Sequence, residues 1–474
     1  MAERPAIVWF RQDLRLTDNP ALTAAVGSGA PLVLLYVLDD ETPGAWRMGG
    51  ASRWWLHRSL EALSRDLAPH GARLILRTGR ADLELIRVVQ EVDAGAVYWN
   101  RCYEPYAIVR DSALKESLRQ VGVVTESFNS ALLFEPWEVR TKSGEPFKVF
   151  TPFWRACLAQ STSRALLPRP KHLRTHARAP PSDPLSAWKL TPHAPNWAAS
   201  FESEWKPGEA GAAAALRHFA ADKLAAYASE RDNLGRAATS RLSPHLHFGE
   251  ISPMQVWGAI SDAPGAAKFQ SELGWREFSY HLLYQFPRLP SENWRASFDA
   301  FPWREDAPAF RAWRRGKTGY PVVDAAMREL WITGAMHNRA RMIAASFLIK
   351  HLLIDWRRGA AHFWDTLCDA DLANNSASWQ WVAGCGADAA PYFRIFNPVA
   401  QGRRYDADGA YVRRWLPELA RLAEHKLHAP WEASDEELRA AGVRLGENYP
   451  HPIVEHAAAR ARALAAFESL SSKT

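Results

Sequence analysis

The stretch PLVLLYVL, Pro31–Leu38, is apolar without a break. A strand that buries one face alternates apolar and polar residues, so an unbroken run predicts a strand covered on both faces. Strands of that kind belong to parallel sheets, where a helix must carry the chain back between successive strands. The flanking sequence supplies the alternation. Ala6–Phe10 is a shorter apolar run, followed by Thr17, Asp18 and Asn19 as caps and Pro20 at a first helical turn. Ser52–Leu67 carries apolar residues at three- and four-residue spacing and reads as a helix. Arg73–Arg77 is a third strand, Leu83–Val92 a helix, Ala96–Trp99 a fourth strand and Arg110–Gln120 another helix. The expected class is an α/β doubly wound parallel sheet running to about Phe134, assigned to residues 1–135. No G-x-G-x-x-G follows the first strand, so a dinucleotide fingerprint is absent here.

Residues 136–207 change character. Pro168, Pro170, Pro180, Pro181, Pro184, Pro192 and Pro195 interrupt any regular element, which predicts a long surface connector with one helix near Thr151–Gln160. From Gly208 the pattern is helical almost throughout. The clearest segments are Gly211–Ser229, Ser252–Ile260, Ala267–Tyr284, Val322–Thr333, Asn338–Leu353 and Ala360–Leu367. Residues 208–474 are therefore expected to form an all-α domain.

Composition fits this division. A chain of 474 residues exceeds one ordinary core, and 47% apolar with 23% charged residues is a globular composition. The net charge of +6 points toward a polyanionic partner such as nucleic acid. Cys102, Cys157, Cys368 and Cys385 form no C-x-x-C pair, so neither a zinc site nor a disulfide framework is expected, and no metal. The opening MAERPAIVWF leaves no room for a signal peptide, and the run Ile343–Ile354 is broken by Lys350 and His351. A cytoplasmic protein away from membranes, acting as a monomer, is the expectation. Tryptophan stands out: of 22 in the chain, nine lie between Trp275 and Trp381.

That aromatic concentration surrounds the stretch DADLANNSASWQW, Asp369–Trp381, which holds two aspartates, two asparagines and two tryptophans. Carboxylates and amides this close can grip a polar heterocycle along its hydrogen-bonding edges. Indoles beside them can stack on flat rings or pass electrons. Upstream, Tyr227 and Arg231 share a helix face. Thr239-Ser240-Arg241-Leu242-Ser243-Pro244 sets small hydroxyl residues before a helix, suited to a phosphate or simply to a cap. Glu272, Trp275, Arg276 and Glu277 fill a turn and a half, and Asn338, Arg341 and Met342 share a face in MHNRARM. Singly, each segment would also pass for a solvated helix.

Taken in order, these segments resemble the DNA photolyase and cryptochrome flavoproteins. WFRQDLRLTDN is similar to the family's opening, TSRLSPHLHFGEIS to its flavin-phosphate region and ELGWREF to its substrate helix. GKTGYPVVDAAMRELWITGAMHNRARM and DADLANNSASWQW match its flavin pocket. The resemblance implies non-covalent FAD in the helical domain. Tyr227, Thr239, Ser240, Leu242 and Ser243, with Arg241 in the same loop, would hold the ribityl and phosphate portion. Asp369 and Asp371 would bind the isoalloxazine edge, with Arg341 pairing Asp369, Arg276 nearby and Asn375 facing flavin N5. Trp379, Trp356 and Trp303 match the family's electron relay, from the flavin outward.

The resemblance also implies a substrate: UV-damaged DNA containing cyclobutane pyrimidine dimers. A dimer must leave the duplex to reach a flavin. Trp275 and Trp381 would clamp it, and Glu272, as a protonated carboxyl in a buried site, would hydrogen-bond its base edge. Asn338 and Met342 are the types seen beside such dimers, whereas enzymes for (6-4) photoproducts carry histidine at the position of Asn338. Arg231, Arg339 and Arg394 would meet flanking phosphates. The expected function is light-driven dimer repair by electron transfer from excited reduced FAD.

The antenna is less well matched. The Asn-Glu pair that holds a folate in one bacterial branch would fall at Tyr106 and Ala107, and His247 stands where members binding 8-hydroxy-5-deazaflavin can carry lysine. ASRWWLHRSL and SPHLHFGE look like the bacterial class III branch related to plant cryptochromes, which implies 5,10-methenyltetrahydrofolate in a different pocket; the alternatives are the deazaflavin or no antenna. A cryptochrome-type blue-light receptor without repair is the alternative function. Its usual marks are another residue at position 375 and a C-terminal extension, whereas Asn375 is kept and the chain closes soon after its last helix. A flavin oxidoreductase on small molecules would need a substrate or nicotinamide pocket that no motif advertises.

Overall fold

The computed structural model describes residues 3–160, 164–261, 263–389 and 393–471. The chain forms two compact units. The first comprises Met1–Ala225, Ser240–Pro287 and Cys368–Ala373; the second comprises Ala226–Thr239, Arg288–Leu367 and Asn374–Thr474. Residues 136–207 fall within the first unit, so compactness divides the chain by contact rather than in sequence order.

The first unit contains a five-stranded parallel sheet with β1 at Ala6–Phe10, β2 at Leu32–Leu38, β3 at Leu74–Thr78, β4 at Ala96–Asn100 and β5 at Val124–Phe128, in the order β3-β2-β1-β4-β5. Every residue of β1 and β2 is buried, as the unbroken apolar runs require. Register is set by pairs such as Val8 with Leu34 in β2 and with Tyr98 in β4. Helices α1 (Pro20–Gly27), α2 (Gly50–Leu67), α3 (Ala81–Val92) and α4 (Pro105–Gln120) make the crossovers. Asn19 caps α1, accepting from Leu22 N at 3.1 Å. On α3, Leu85, Val88, Val89 and Val92 form one stripe against Trp9, Val97 and Trp99 of the sheet.

Two differences from the sequence reading have local causes. The fifth strand, VTESF, went unread because it lies at the sheet edge, where alternate residues meet solvent and no apolar run is needed. Helix α4 starts five residues before Arg110, because Pro105 occupies a first-turn position where its missing N–H costs nothing. The proline-rich segment does more than lie on the surface: Leu32 N donates to Arg174 O at 2.7 Å and His176 N to Leu32 O at 3.0 Å, a parallel bridge beside the start of β2. Its helix is Phe150–Leu158.

The remaining elements are helical. Pro253–Ile260 and Ala266–Gln285 belong to the first unit; Pro321–Thr333, Trp356–Thr366 and His456–Ser471 belong to the second. The run read as one helix over Asn338–Leu353 is instead an α-helix to Ser346 followed by a π turn, Phe347–His351. Gly211–Ser229 is likewise broken, into Glu209–Asp222 and Tyr227–Glu230. Among the described residues, no helix is long and apolar enough to cross a membrane.

Candidate functional site

In the first unit, polar contacts converge on Asp371, which is 6% exposed. Its Oδ2 accepts from the Tyr280 hydroxyl and lies 3.3 Å from His247 Nδ1. Burial alone would raise this carboxyl. The hydrogen bond and charge of His247, with Arg276 and Tyr280, more than offset that and hold it well below the usual carboxylate range. Asp371 is therefore an ionised acceptor in a dry setting, and half-buried Asp369 precedes it by two residues. Arg276 turns toward the loop that follows β5: Nη1 donates to Ala131 O at 2.6 Å, and the guanidinium lies 4.9 Å over the Tyr280 ring. Glu277, next to it, accepts from Leu133 N at 2.9 Å and Phe134 N at 3.2 Å, so it anchors that loop.

Immediately before Arg276, Trp275 stacks on Phe150 with centroids 3.8 Å apart and an interplanar angle of 10°. Glu272 departs from the sequence reading. Its side chain is 24% exposed and pairs with Lys268 Nζ at 3.0 Å, so a half-open pair stands where the sequence predicts an enclosed carboxyl. Lys268 precedes it by four residues, the spacing that brings such partners together on a helix. In the loop Ser240–Ser243, Ser240 Oγ accepts from Leu242 N at 3.3 Å. Leu242 is buried, and Ser243 opens a short helix with Pro244 next. The Arg241 guanidinium pairs with Glu204 at 3.3 Å and lies 4.0 Å over Trp205, while its φ of 57° turns the main chain. What Arg241 can offer a phosphate is main chain rather than guanidinium.

Helix Leu372–Ala383, which belongs to the second unit from Asn374 on, carries Asn375, Trp379 and Trp381. Asn375 Nδ2 donates to Ala360 O at 3.1 Å, which turns its oxygen the other way. Trp379 is buried and rests on the Trp356–Thr366 helix, where Gly359 leaves it room: a Cβ there would stand 2.1 Å from the ring. Trp356 opens that helix and is fully enclosed. Trp303 is half-buried; Arg304 N donates to Leu353 O at 2.7 Å, and Arg358 pairs with Glu305 at 2.8 Å, so its segment runs along the start of the same helix. The three tryptophans expected to form a relay thus belong to adjoining elements of one unit.

The predicted DNA contacts also group. Tyr227 lies under the Arg231 guanidinium at 5.4 Å, as their spacing implied. Arg339 pairs with Asp232 at 2.7 Å, and Arg231 Nε lies 3.9 Å from the same carboxylate. Asn338 is exposed and Met342 half-buried on the helix that follows; Arg341 Nε donates to Met336 O at 2.8 Å. Trp381 and Arg394 line one cleft together with Lys350, Ser346 and Phe396.

Several supporting roles escaped the sequence reading. Tyr280 and His247 fix Asp371, and Trp313 meets Trp379 edge-on at 6.3 Å. Gln380, wholly buried between the two tryptophans of its helix, donates to Leu289 O and Glu292 O, each at 2.7 Å, and accepts from Trp294 N at 2.8 Å. Lys350, also buried, donates to Ala383 O at 2.7 Å and so caps the end of that helix. Their one signal was a polar residue inside an aromatic or apolar run.

A flavin ring edge presents N–H and C=O groups, and the phosphates of FAD need main-chain donors and hydroxyls. The buried ionised Asp371 and the oriented amide of Asn375 are acceptors of the kind that edge requires, so the residues present fit FAD. Comparison with known proteins agrees. Residues 6–172 match the DNA photolyase family model, and residues 269–469 match the FAD binding domain of DNA photolyase. The deoxyribodipyrimidine photo-lyase of Agrobacterium fabrum is 51% identical over 476 residues, covering 99% of both chains. Cryptochrome-1 of Arabidopsis thaliana is 40% identical, over 96% of this chain and 69% of its own length. The crystal structure of a bacterial class III photolyase from Agrobacterium tumefaciens superposes with a TM-score of 0.96 at 51% identity, covering 100% of this chain and 98% of the other. The chain belongs to the DNA photolyase and cryptochrome family.

Proposed function

We propose that this chain is a deoxyribodipyrimidine photo-lyase, splitting cyclobutane pyrimidine dimers in DNA under blue or near-UV light. The observation that carries the reading is the end-to-end 51% identity to the Agrobacterium fabrum photo-lyase, against 40% to a cryptochrome only part of whose length is matched. Bound FAD in its reduced form supplies the photoexcited electron that opens the dimer. In the first unit, Asp369 and Asp371 would accept from the ring edge and the Ser240–Ser243 loop would offer main chain and hydroxyls to the phosphates, with Arg276 bracing Tyr280 against Asp371. In the second, Asn375, whose Nδ2 is held by Ala360 O, would offer its amide oxygen to the flavin ring, and Tyr227 and Thr239 would add to the phosphate side. Trp275 offers its ring to an extruded base, and Glu272, Asn338 and Met342 supply polar and soft contacts to the dimer. Trp381 does the same from a cleft shared with Arg394. Arg231 and Arg339, gathered on Asp232, would leave that carboxylate for DNA phosphates.

The same reading gives a cytoplasmic monomer, with 5,10-methenyltetrahydrofolate as antenna. His247 is engaged with Asp371, which speaks against its use toward a deazaflavin. Purified, reduced protein incubated with an oligonucleotide carrying one thymine dimer should restore thymines only in the light. Absence of repair in the light, with flavin bound, would turn the assignment to a photoreceptor; repair in darkness would end it altogether.

A further inference from the structure

Trp356 is completely enclosed, and its indole N–H donates to Asn293 Oδ1 at 2.9 Å. Asn293 is buried too, and its amide is oriented from the far side, because Nδ2 donates to Asp299 Oδ1 at 2.7 Å. Asp299 is exposed. A line therefore runs from a buried ring, through a neutral amide, to a surface carboxylate. Nor is the line an accident of a loose loop. Gln380, on the helix of Trp379, holds the main chain at Leu289, Glu292 and Trp294 on both sides of Asn293.

We propose that Asn293 and Asp299 are positioning residues that set how readily Trp356 passes an electron along the tryptophan relay. The proposal rests on the relay reading above. In that step, Trp379, oxidised by photoexcited FAD, regains one electron from Trp356. Trp356 becomes a radical cation and takes one electron from Trp303. No bond breaks, and the indole proton stays on Nε1, because an amide oxygen is too weak a base to remove it. An indole that has lost an electron is a stronger donor, so the Asn293 acceptor stabilises the oxidised ring more than the neutral one. The carboxylate of Asp299 polarises the amide and adds an attraction of the same sign. Arg357, 4.8 Å over the same ring, opposes it, but Asp355 pairs with that guanidinium at 3.0 Å and largely cancels it.

Asp299→Asn removes the charge while keeping an acceptor, and at an exposed position it leaves folding alone. Photoreduction of bound oxidised FAD in thiol buffer should slow roughly three- to tenfold in this variant. FAD content, melting temperature and repair by chemically pre-reduced protein should match the parent, and Asp299→Glu should restore the rate. Asn293→Leu should slow photoreduction further and shorten the Trp356 radical seen by transient absorption. Photoreduction at the parent rate in Asp299→Asn overturns the proposal. Trp356→Phe is the control for the reading beneath it: unimpaired photoreduction there would remove the relay itself.

Discussion

At the scale of single residues, the closest fit in the proposed relay is between a ring and a missing side chain. Trp379 lies where a Cβ on Gly359 would stand 2.1 Å from the indole, and the ring is also wedged by Phe363 at 5.0 Å. Gly359→Ala must therefore move either the ring or its helix, at a cost of about 1–3 kcal/mol for an overpacked core. We expect a lower melting temperature and much slower photoreduction, with FAD still bound. A melting temperature equal to the parent's would mean that the helix yields freely at this point. Trp379→Phe should abolish rapid photoreduction without loss of flavin; residual activity would draw attention to Trp313, which meets the same ring.

Among helices, the π turn Phe347–His351 is the least ordinary piece of this chain. It was legible only as an apolar run that Lys350 and His351 appeared to spoil. Both residues are buried, each for a partner far along the chain: Lys350 for Ala383 O, and His351 for His456 Nδ1 at 2.9 Å on the C-terminal helix. Periodicity cannot announce such pairings, because 33 and 105 residues separate the partners. Burial, with the charges of His456 and Arg462, pushes His351 from 6.5 down to about 3. The neutral form is what the fold holds. Its contribution is complete above pH 6.5 and declines as pH falls from 6.5 toward 3, by about 1.4 kcal/mol per pH unit. His351→Gln should accordingly flatten the acid side of a plot of melting temperature against pH, whatever it does to stability at neutrality. An unchanged acid slope would assign the loss to other buried groups.

For the molecule as a whole, electrostatics should govern the grip on DNA. If Arg394 meets a phosphate, Arg394→Gln should weaken binding to dimer-containing duplex and lower the slope of log K against log salt by about 0.9. An unaltered slope would place that arginine outside the contact. The parallel sheet was readable from sequence because burial on both faces leaves a plain mark in Ala6–Phe10 and Leu32–Leu38. The edge strand at Val124–Phe128 left none. The site residues could be listed from motifs in chain order, but the sequence said nothing of what holds them. Tyr280 under Asp371 and Asn293 on Trp356 are settled by packing between segments, and the first of these spans 91 residues.

On the helix Leu372–Ala383, Trp379 and Trp381 stand two positions apart and so point to nearly opposite sides of one cylinder. The proposed conductor and the proposed clamp turn on a common shaft, with Gln380 as the pin between them. Variants of this enzyme selected purely for a firmer hold on lesions would thus drift in how fast they recharge under illumination, without any selection for that trait.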